Sequence, residues 1–409
     1  MSMPLVTWVE VDLDRFAANL RVIRTEVRDA CELLLVAKAD AYGHGAREMA
    51  AAAEREGVSQ LGVATLHEGV QLRMAGCRLP IVALSPLLTA EIDDAVEHGI
   101  DPTVADQAFA GELSAAARRS GRPVRFHVEI DTGMGRIGVR EADAEEFVAR
   151  VSALPGLRLA SVYTHFPDAD AEDLSFARGQ VGRFRAIVER LAARGLRPPQ
   201  VHASNSAGTM NLPEARFDVV RIGLVAYGVH PPHDAARLAL APVMSLRSRL
   251  VQVRDLPAGT PISYGRSYVT SRPSRIGVVP VGYGHGYSWL LSNRGQMLVR
   301  GRRAPIVGRV TMDLTMLDLT DIAGVGVGDE VVLFGEQNGE ELRVEEVAAW
   351  SETLAYEIMC TLGKRVARLY RSQGRAVRVT TLVGERPEWT AAADDYLRQR
   401  DFAAAGGGA

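Results

Sequence analysis

The sequence predicts an α/β protein in which an N-terminal (β/α)8 barrel of the TIM type is followed by a mainly antiparallel β domain. Three observations support this fold class. Apolar runs alternate with helical segments from residue 33 onward, and after residue 240 they give way to short alternating runs. Reactive polar side chains also follow several of the apolar runs directly. An open doubly wound parallel sheet is the alternative for the first part.

Eight apolar runs predict the strands of the barrel. Segments such as AREMAAAAERE and GQVGRFRAIVERLAARG lie between them and carry apolar residues at helical spacing. Strands that alternate with helices form βαβ units, whose strands run parallel. We therefore place the barrel in residues 8–240. Its predicted strands are Leu33–Ala37, Leu61–Thr65, Ile81–Leu84, Pro102–Ala105, Val124–Ile130, Leu159–Thr164, Pro199–Ala203 and Val219–Gly223.

Residues 241–384 are predicted to form the β domain. Runs such as MSLRSRLVQV, SRIGVVPVG and DEVVLFG are separated by Gly, Pro and Asn turns, as is typical of antiparallel sheets. The opening run TWVEVDL also alternates, so residues 1–10 are candidates to pair with this domain. The Ala-rich segment 385–409 predicts a flexible tail.

Composition excludes several classes of function. The 409 residues carry a net charge of −3, without the basic patch expected of a nucleic-acid-binding or membrane-surface protein. We find no apolar run long enough to span a bilayer and no signal-peptide pattern. The three cysteines are scattered and the histidines lack metal-ligand spacing, so we expect a cytoplasmic protein without a metal site.

The chain contains two lysines, Lys38 and Lys364, among 47 basic residues. Lys38 ends the first predicted strand in VAKADAYGHG. There it could be an ion-paired side chain, or a desolvated amine suited to a Schiff base. Because lysine is so rare here, we favour the second interpretation. Lys364 stands beside Arg365 in GKRV and is typical of a solvated basic face.

Further polar residues fall where barrel enzymes place their active sites, at the carboxyl ends of the strands. The Gly-rich turn GLVAYG, with Ser206 upstream, could present backbone N–H groups to a phosphate, although this signal alone is weak. Nucleotide-binding patterns of the GxxxxGK[ST] or GxGxxG type are absent. The candidates at the strand ends are Lys38, Tyr42, Arg136, His165, Asn205, Ser206 and Arg221.

Taken together, VAKADAYGHG, DTGMGRIG, THF, HxxNSAG, RIGxxxYG, ISYG, APIVGRVTMD and AYEIMCTLGKRV resemble the alanine racemase family in order and spacing. The resemblance covers about residues 5–384 and implies a fold-type III pyridoxal phosphate enzyme. It implies that Lys38 binds the cofactor covalently, that Arg136 faces its phenolic oxygen, and that Arg221 faces its pyridine nitrogen. The other residues at cofactor-binding positions are Tyr42, His165, Asn205, Ser206, Gly223, Leu224 and Tyr356.

The resemblance also implies a head-to-tail homodimer with shared active sites. Tyr264 would come from the other subunit as a second base, and the N–H of Met312 would bind the substrate carboxylate together with Arg136. Racemisation requires proton removal on one face of Cα and delivery on the other. Two bases on opposite sides, Lys38 and Tyr264, meet that requirement.

Two departures from the family pattern stand out. Glu129 occupies the position of a lysine that is usually carbamylated, and we interpret it as a built-in negative charge near Arg136; the alternative is an ordinary polar residue at a strand end. In GYGHGYSW, His285, Ser288 and Trp289 replace Asp, Pro and an arginine of the access corridor. Asp170, Arg309 and Leu354 match the remaining corridor positions.

The leading functional hypothesis is an alanine racemase that supplies D-alanine for peptidoglycan. For Trp289 and His285 we favour neutral drift at the rim; the alternative, a changed substrate, motivates a second hypothesis, a racemase of another amino acid in a specialised biosynthetic or resistance pathway. A non-catalytic pyridoxal phosphate-binding protein is the third, and the intact pair Lys38 and Tyr264 argues against it.

Overall fold

The computed structural model describes residues 5–27, 31–231, 233 and 238–404. The chain divides into two compact units. The first comprises Phe16–Ala41 and Gly45–Ala241. The second comprises Met1–Arg15, Tyr42–His44 and Pro242–Ala409. Residues 11–15 and 42–44, which lie within the predicted barrel range, group with the C-terminal unit, and residues 8–10, which were candidates to pair with the β domain, group with it as well.

The first unit contains a closed barrel of eight parallel strands, as predicted. Strand β1 (Trp8–Asp12) precedes it in the chain. The barrel strands are β2 (Glu32–Val36), β3 (Gln60–Val63), β4 (Ile81–Pro86), β5 (Ile100–Thr103), β6 (Val124–Asp131), β8 (Leu157–Tyr163), β9 (Gln200–His202) and β10 (Val219–Ile222), with the two-residue β7 (Val139–Arg140) beside β6. Pairing follows this order, and contacts of β5 with β6 and of β10 with β2 complete the ring. Each predicted strand overlaps one of these eight.

Helices connect the strands and cover the outside of the barrel. Runs of fully buried residues in β2 and β10 show that these strands are covered on both faces, as parallel strands are. The helices of this part of the chain are α1 (Leu13–Val27), the left-handed turn α2 (Lys38–Tyr42), α3 (Ala46–Arg55), α4 (Leu66–Met74), α5 (Ile92–His98), α6 (Gln107–Ser120), α7 (Ala144–Ser152), α8 (Ser175–Ala193) and α9 (Ser206–Asn211).

The second unit is mainly antiparallel β structure, as predicted. Its large sheet has the order β17-β16-β19-β11-β1-β21-β22-β23, with β20 beside β19. The alternating run TWVEVDL supplies β1, which pairs antiparallel with β11 and parallel with β21. The strands are β11 (Met244–Arg249), β12 (Gln252–Leu256), β13 (Pro261–Ile262), β14 (Tyr268–Val269), β15 (Ser274–Val279), β16 (Gln296–Val299), β17 (Arg302–Pro305), β18 (Thr315–Asp318), β19 (Glu330–Gln337), β20 (Glu340–Leu342), β21 (Ala367–Ser372), β22 (Arg375–Thr381) and β23 (Gly384–Glu385).

Three helices complete this unit: α10 (Val344–Trp350), α11 (Ala355–Cys360) and α12 (Pro387–Ala404). The prediction of a flexible tail is wrong for α12. Its residues Ala393 and Leu397 are fully buried in a small core with Trp8 and Leu369. The sequence signal was weak because the buried face of α12 is partly alanine, and its packing partners are strands far away in the chain.

Within the described ranges, no helix combines the length and apolar composition needed to cross a bilayer.

Candidate active site

The candidate residues of the barrel unit lie at its carboxyl-terminal rim, where the ends of parallel strands converge. Lys38 begins the turn after β2, Arg136 follows β6, and His165 follows β8. Asn205 and Ser206 come after β9, while Arg221 is the third residue of β10 and Gly223 and Leu224 follow that strand. Because the barrel is closed, residues far apart in sequence meet at this rim.

Arg221 is the most deeply buried cation of the rim. It is 3% exposed, and its guanidinium donates to Nδ1 of His202 at 2.9 Å and to Nδ1 of His165 at 3.0 Å. The carbonyl oxygens of Thr164 and Ala203 accept further bonds at 2.8 and 3.0 Å. Four bonds to uncharged acceptors therefore hold a buried charge in one orientation.

His165 lies within the field of three cations. Burial lowers its pKa well below the ordinary value, and the positive charges of Arg221, Arg136 and Lys38 act in the same direction. The imidazole is therefore neutral, with Nδ1 as the acceptor for Arg221. The lysine and both arginines thus all contribute positive charge at this ring.

Glu129 supplies negative charge beneath these cations. It lies near the end of β6 and is 2% exposed. Burial raises the pKa of its carboxyl to about 6, although the charges of Arg221 and Arg136 lower it. Glu129 is thus a buried carboxyl within the field of Arg221 and Arg136, and its role as a built-in anion stays a prediction.

The residues that directly follow Lys38 have an unusual backbone conformation. Ala39, Asp40 and Ala41 have φ angles of 51°, 54° and 53°, a left-handed turn that costs on the order of 1–2 kcal/mol per residue. The Ala39 N–H donates to the Glu68 carboxylate at 2.7 Å, and Asp40 accepts from the N–H of Ala46 at 2.8 Å. These bonds hold the turn that follows the lysine.

The turn after β10 contains a backbone N–H group that has no acceptor in the described part of the chain. The N–H of Gly223 donates to the Ser206 hydroxyl at 3.0 Å, and Asn205 caps α9 by accepting from the N–H of Gly208 at 2.9 Å. The backbone N–H of Leu224 is buried, and we find no acceptor for it among the residues that the structure describes. A buried donor without an acceptor next to a serine hydroxyl suits a phosphate oxygen.

Tyr42 and Tyr356 lie together within the C-terminal unit. Their ring centroids are 5.7 Å apart, and burial raises the pKa of Tyr42 above its ordinary value. Gly43, at φ +78°, packs so tightly that a Cβ there would lie 2.2 Å from the carbonyl oxygen of Met359. Glycine is therefore required next to Tyr42 for both conformation and space.

The other candidates of the C-terminal unit are exposed. Tyr264 is 72% exposed, and Met312, Leu354 and Trp289 are also largely accessible. Arg309 lies over the ring of Trp289, with 5.7 Å between its guanidinium carbon and the ring centroid. Tyr264 and Met312 thus stand on the surface of their own unit, whereas Asp170, in the barrel unit, is half-buried.

His285 and Trp289 have different surroundings despite their shared motif. His285 is 9% exposed, and its Nδ1 accepts from the N–H of Gly282 at 3.3 Å, within the turn that it helps to form. Trp289, by contrast, offers its ring to solvent and to Arg309. Of the two residues, Trp289 is thus exposed, whereas His285 is largely buried within its own turn.

Sequence reasoning missed the polar residues inside the barrel. His202, Ser161 and His127 are buried and connected to Arg221, and Tyr163 lies below the guanidinium, with its ring centroid 5.2 Å from the guanidinium carbon. The available signal was polar residues within otherwise apolar strands, as in VRFHVEI and ASVYTH. Glu68 was also missed because its role depends on a turn that the sequence does not reveal.

The family profile described as the N-terminal domain of alanine racemase matches residues 11–231, and the profile of the C-terminal domain matches residues 243–370. Alanine racemase 2 of Caldanaerobacter subterraneus subsp. tengcongensis is 40% identical over 375 residues, which cover 91% of this chain and 97% of that protein. Alanine racemase of Desulfosudis oleivorans is 42% identical over 376 residues, covering 89% and 96%.

Solved structures give the same result. Alanine racemase of Clostridium difficile 630 superposes with a TM-score of 0.89 at 32% identity, covering 93% of this chain and 100% of that one. Alanine racemase from Bartonella henselae, a structure described with covalently bound pyridoxal phosphate, has a TM-score of 0.81 at 26% identity and covers 90% and 100%.

Proposed function

This chain belongs to the alanine racemase family, and from that premise we propose that it interconverts L- and D-alanine with pyridoxal phosphate as cofactor. The observation that best supports the proposal is the arrangement at the barrel rim, where Lys38 follows β2 and Arg221, held by four hydrogen bonds, donates to His165. A lysine amine, a buried arginine, and the Ser206 hydroxyl beside the N–H of Gly223 are groups that suit a phosphorylated aldehyde.

The residues present fit that cofactor. Lys38 would hold it covalently, and Ser206, Gly223, Leu224, Tyr42 and Tyr356 would bind its phosphate. Arg136 would face the phenolic oxygen, Arg221 the pyridine nitrogen, and His165 and Asn205 would complete the rim. When bound, pyridoxal phosphate withdraws electrons and so acidifies the α-proton of an attached amino acid.

Proton transfer is proposed to be the work of two bases. The amine of Lys38 serves one face of the substrate, and the phenolic oxygen of Tyr264 of the partner subunit serves the other. Tyr264 is 72% exposed within its own unit, so its side chain is accessible to a second subunit. Arg136 and the N–H of Met312 would hold the substrate carboxylate between the two bases.

Arg221 is proposed to limit protonation of the cofactor's ring nitrogen, because its guanidinium stays protonated. An arginine is a donor that does not readily give up a proton, so Arg221 would donate a hydrogen bond to the ring nitrogen of the cofactor without protonating it. Its orientation is fixed by the bonds to His165 and His202. Through His165, its charge would also favour the anionic form of the tyrosine base.

We further propose a homodimer with shared active sites, located in the cytoplasm and supplying D-alanine for peptidoglycan. The second candidate function, racemisation of another amino acid, is favoured by Trp289, whose exposed ring beside Arg309 alters the shape and charge of the proposed corridor.

The two lysines allow a matched test. Proton NMR in D2O, with chiral chromatography, would follow loss of the Cα–H signal of L-alanine and the appearance of D-alanine. Lys38→Ala should lower racemisation by at least about 10³-fold and abolish the visible absorbance of the bound cofactor. Lys364→Ala, which changes an exposed lysine, should leave both unchanged.

Retained absorbance in Lys38→Ala would overturn the cofactor assignment. Faster exchange with an amino acid other than alanine would instead support the second candidate function.

A further inference from the structure

A line of hydrogen-bonded side chains runs through the interior of the barrel from Arg221. The guanidinium donates to Nδ1 of His202 at 2.9 Å, and Nε2 of His202 lies 2.8 Å from the Ser161 hydroxyl. That hydroxyl is 2.6 Å from Nδ1 of His127. His127, His202 and Ser161 are at most 1% exposed, so the line is shielded from bulk solvent.

The bond from Arg221 sets the first step of this line. Arginine is only a donor, so while that bond is made Nδ1 of His202 is bare and its proton sits on Nε2. The Nε2–H then donates to Ser161, which leaves the Ser161 hydroxyl proton available to donate to Nδ1 of His127. With Nδ1 as the acceptor of that bond, His127 carries a proton on Nε2. Burial and the charge of Arg221 lower the pKa of His202 well below its ordinary value, in keeping with a neutral ring.

The line ends near a carboxylate. Nε2 of His127 is buried, has no hydrogen-bond partner among the described residues, and lies 3.7 Å from a carboxylate oxygen of Asp101. Asp101 itself pairs with Arg125 at 3.2 Å. Asp101 and Arg125 are each the second residue of their strands, β5 and β6, and therefore lie at the end of the barrel opposite the candidate site.

Placing polar side chains in the interior of the barrel carries a cost in stability, and we expect it to be offset by a role that apolar side chains cannot fill. Buried polar groups destabilise a protein by about 1–3 kcal/mol each when unpaired, and branched aliphatic residues normally fill barrel interiors. The benefit here is a single tautomer for His202. With its proton on Nδ1 instead, the ring would point an N–H at the N–H of Arg221 and push the guanidinium away.

We propose that Ser161 and His127 are positioning residues that hold His202 in the Nε2–H tautomer and thereby orient Arg221. This inference rests on the proposed function for its catalytic consequence, but the tautomer itself does not depend on that function. Ser161 and His127 act through His202 and do not touch the ligand.

Ser161→Ala removes the acceptor for the Nε2–H of His202. In the full chain, with and without pyridoxal phosphate, 15N NMR of the imidazoles should then show a substantial share of the Nδ1–H tautomer for His202, a signal assigned by its loss in His202→Gln. With cofactor bound, kcat should fall on the order of tenfold while KM stays within about twofold, and the visible band should shift.

Three variants separate positioning from a structural effect. Ser161→Thr keeps the hydroxyl and should restore the tautomer and most of kcat. His127→Asn keeps an acceptor for Ser161 and should be mild, whereas His127→Leu should resemble Ser161→Ala. Ser114 lies on α6, away from the line; it is 3% exposed, and its hydroxyl donates to the carbonyl oxygen of Pro155 at 2.7 Å. Ser114→Ala removes this hydroxyl and should change neither the tautomer of His202 nor kcat.

The proposal is overturned if His202 stays in the Nε2–H form in folded Ser161→Ala, or if Ser161→Ala and Ser114→Ala lower kcat equally. Failure of the proposed function looks different. In that case the tautomer of His202 would still change in Ser161→Ala, although the unmodified chain would not racemise alanine.

Discussion

The candidate residues of the two units differ in how firmly they are held. In the barrel unit, Arg221 is 3% exposed and makes four hydrogen bonds, and Ser206 bonds the backbone of Gly223. In the C-terminal unit, Tyr264 is 72% exposed and Leu354 is 66% exposed. One half of the proposed site is already organised within its own unit, and the other half consists of side chains facing solvent.

This difference indicates what each half requires. Groups that must hold charge or orientation before the ligand arrives are fixed by burial and by neighbouring bonds, because reorganisation during the reaction would cost rate. An exposed tyrosine and an exposed methionine gain such restraint only when another surface covers them. In the proposed dimer, that surface is the barrel rim of the partner subunit.

The largest expected effect concerns Tyr264. Tyr264→Phe should lower kcat in both directions by about 10²–10⁴-fold while cofactor absorbance persists, since one base is lost. Mixing it with Lys38→Ala under conditions that exchange subunits should restore about a quarter of the normal activity. Half of the dimers would then be hybrids, each with one complete site of two. No recovery in a mixture with demonstrated exchange would contradict shared sites.

The next effect tests how much α12 contributes to the stability of the C-terminal unit, which carries the exposed candidate residues. Leu397→Ala empties a fully buried position on α12, within the core that contains Trp8 and Leu369. It should lower the free energy of unfolding by about 2–5 kcal/mol. Denaturant unfolding followed by tryptophan fluorescence measures this loss. Gln399→Ala, at an exposed position of the same helix, is the control. Equal stability of the two variants would show that α12 adds little.

A pH-dependent effect tests the buried half through Glu129. Its carboxyl pKa is raised from 4.5 to about 6, so between these values the folded protein keeps a proton that the unfolded chain has released. Glu129 therefore lowers stability as pH rises through this window, by about 2 kcal/mol, with no further change above it. Urea unfolding from pH 4 to pH 7 should show this slope, and Glu129→Gln should remove it.

Glu112→Gln, at an exposed position of α6, is the surface control and should retain the slope. A slope that survives in Glu129→Gln would assign the pH dependence to another group.

The smallest effect concerns the corridor. Trp289→Ala removes the ring beneath Arg309, an interaction worth about 0.5–1 kcal/mol. The kcat/KM ratio between alanine and a bulkier amino acid should therefore change less than about fivefold, mainly through KM. Trp289→Phe keeps a ring and should be closer to the unmodified protein. A change above tenfold would make Trp289 a main determinant of specificity.

Sequence patterns were informative where structure is repetitive or local. The eight barrel strands are runs of apolar residues between helical segments, so each was predicted to within a few residues. The rim positions of Lys38, His165 and Arg221 followed because strand ends in a parallel barrel converge. Residues whose roles depend on distant neighbours could not be found in this way. The hydrogen bonds of Ser161 and His127 form only when β6, β8 and β9 lie side by side in the barrel.

By itself, the sequence determined the barrel, the β domain and the list of reactive side chains at the rim, because periodicity and strand ends are local properties. Three features depend on the tertiary structure alone. Glu129 is a buried carboxyl with a raised pKa, and α12 is a packed helix. A line of hydrogen-bonded side chains also runs from Arg221 towards Asp101. The physical reason is the same in each case. Burial and hydrogen-bond partners come from elements distant in the chain, and they set the charge and the orientation of a group whose identity the sequence had already supplied.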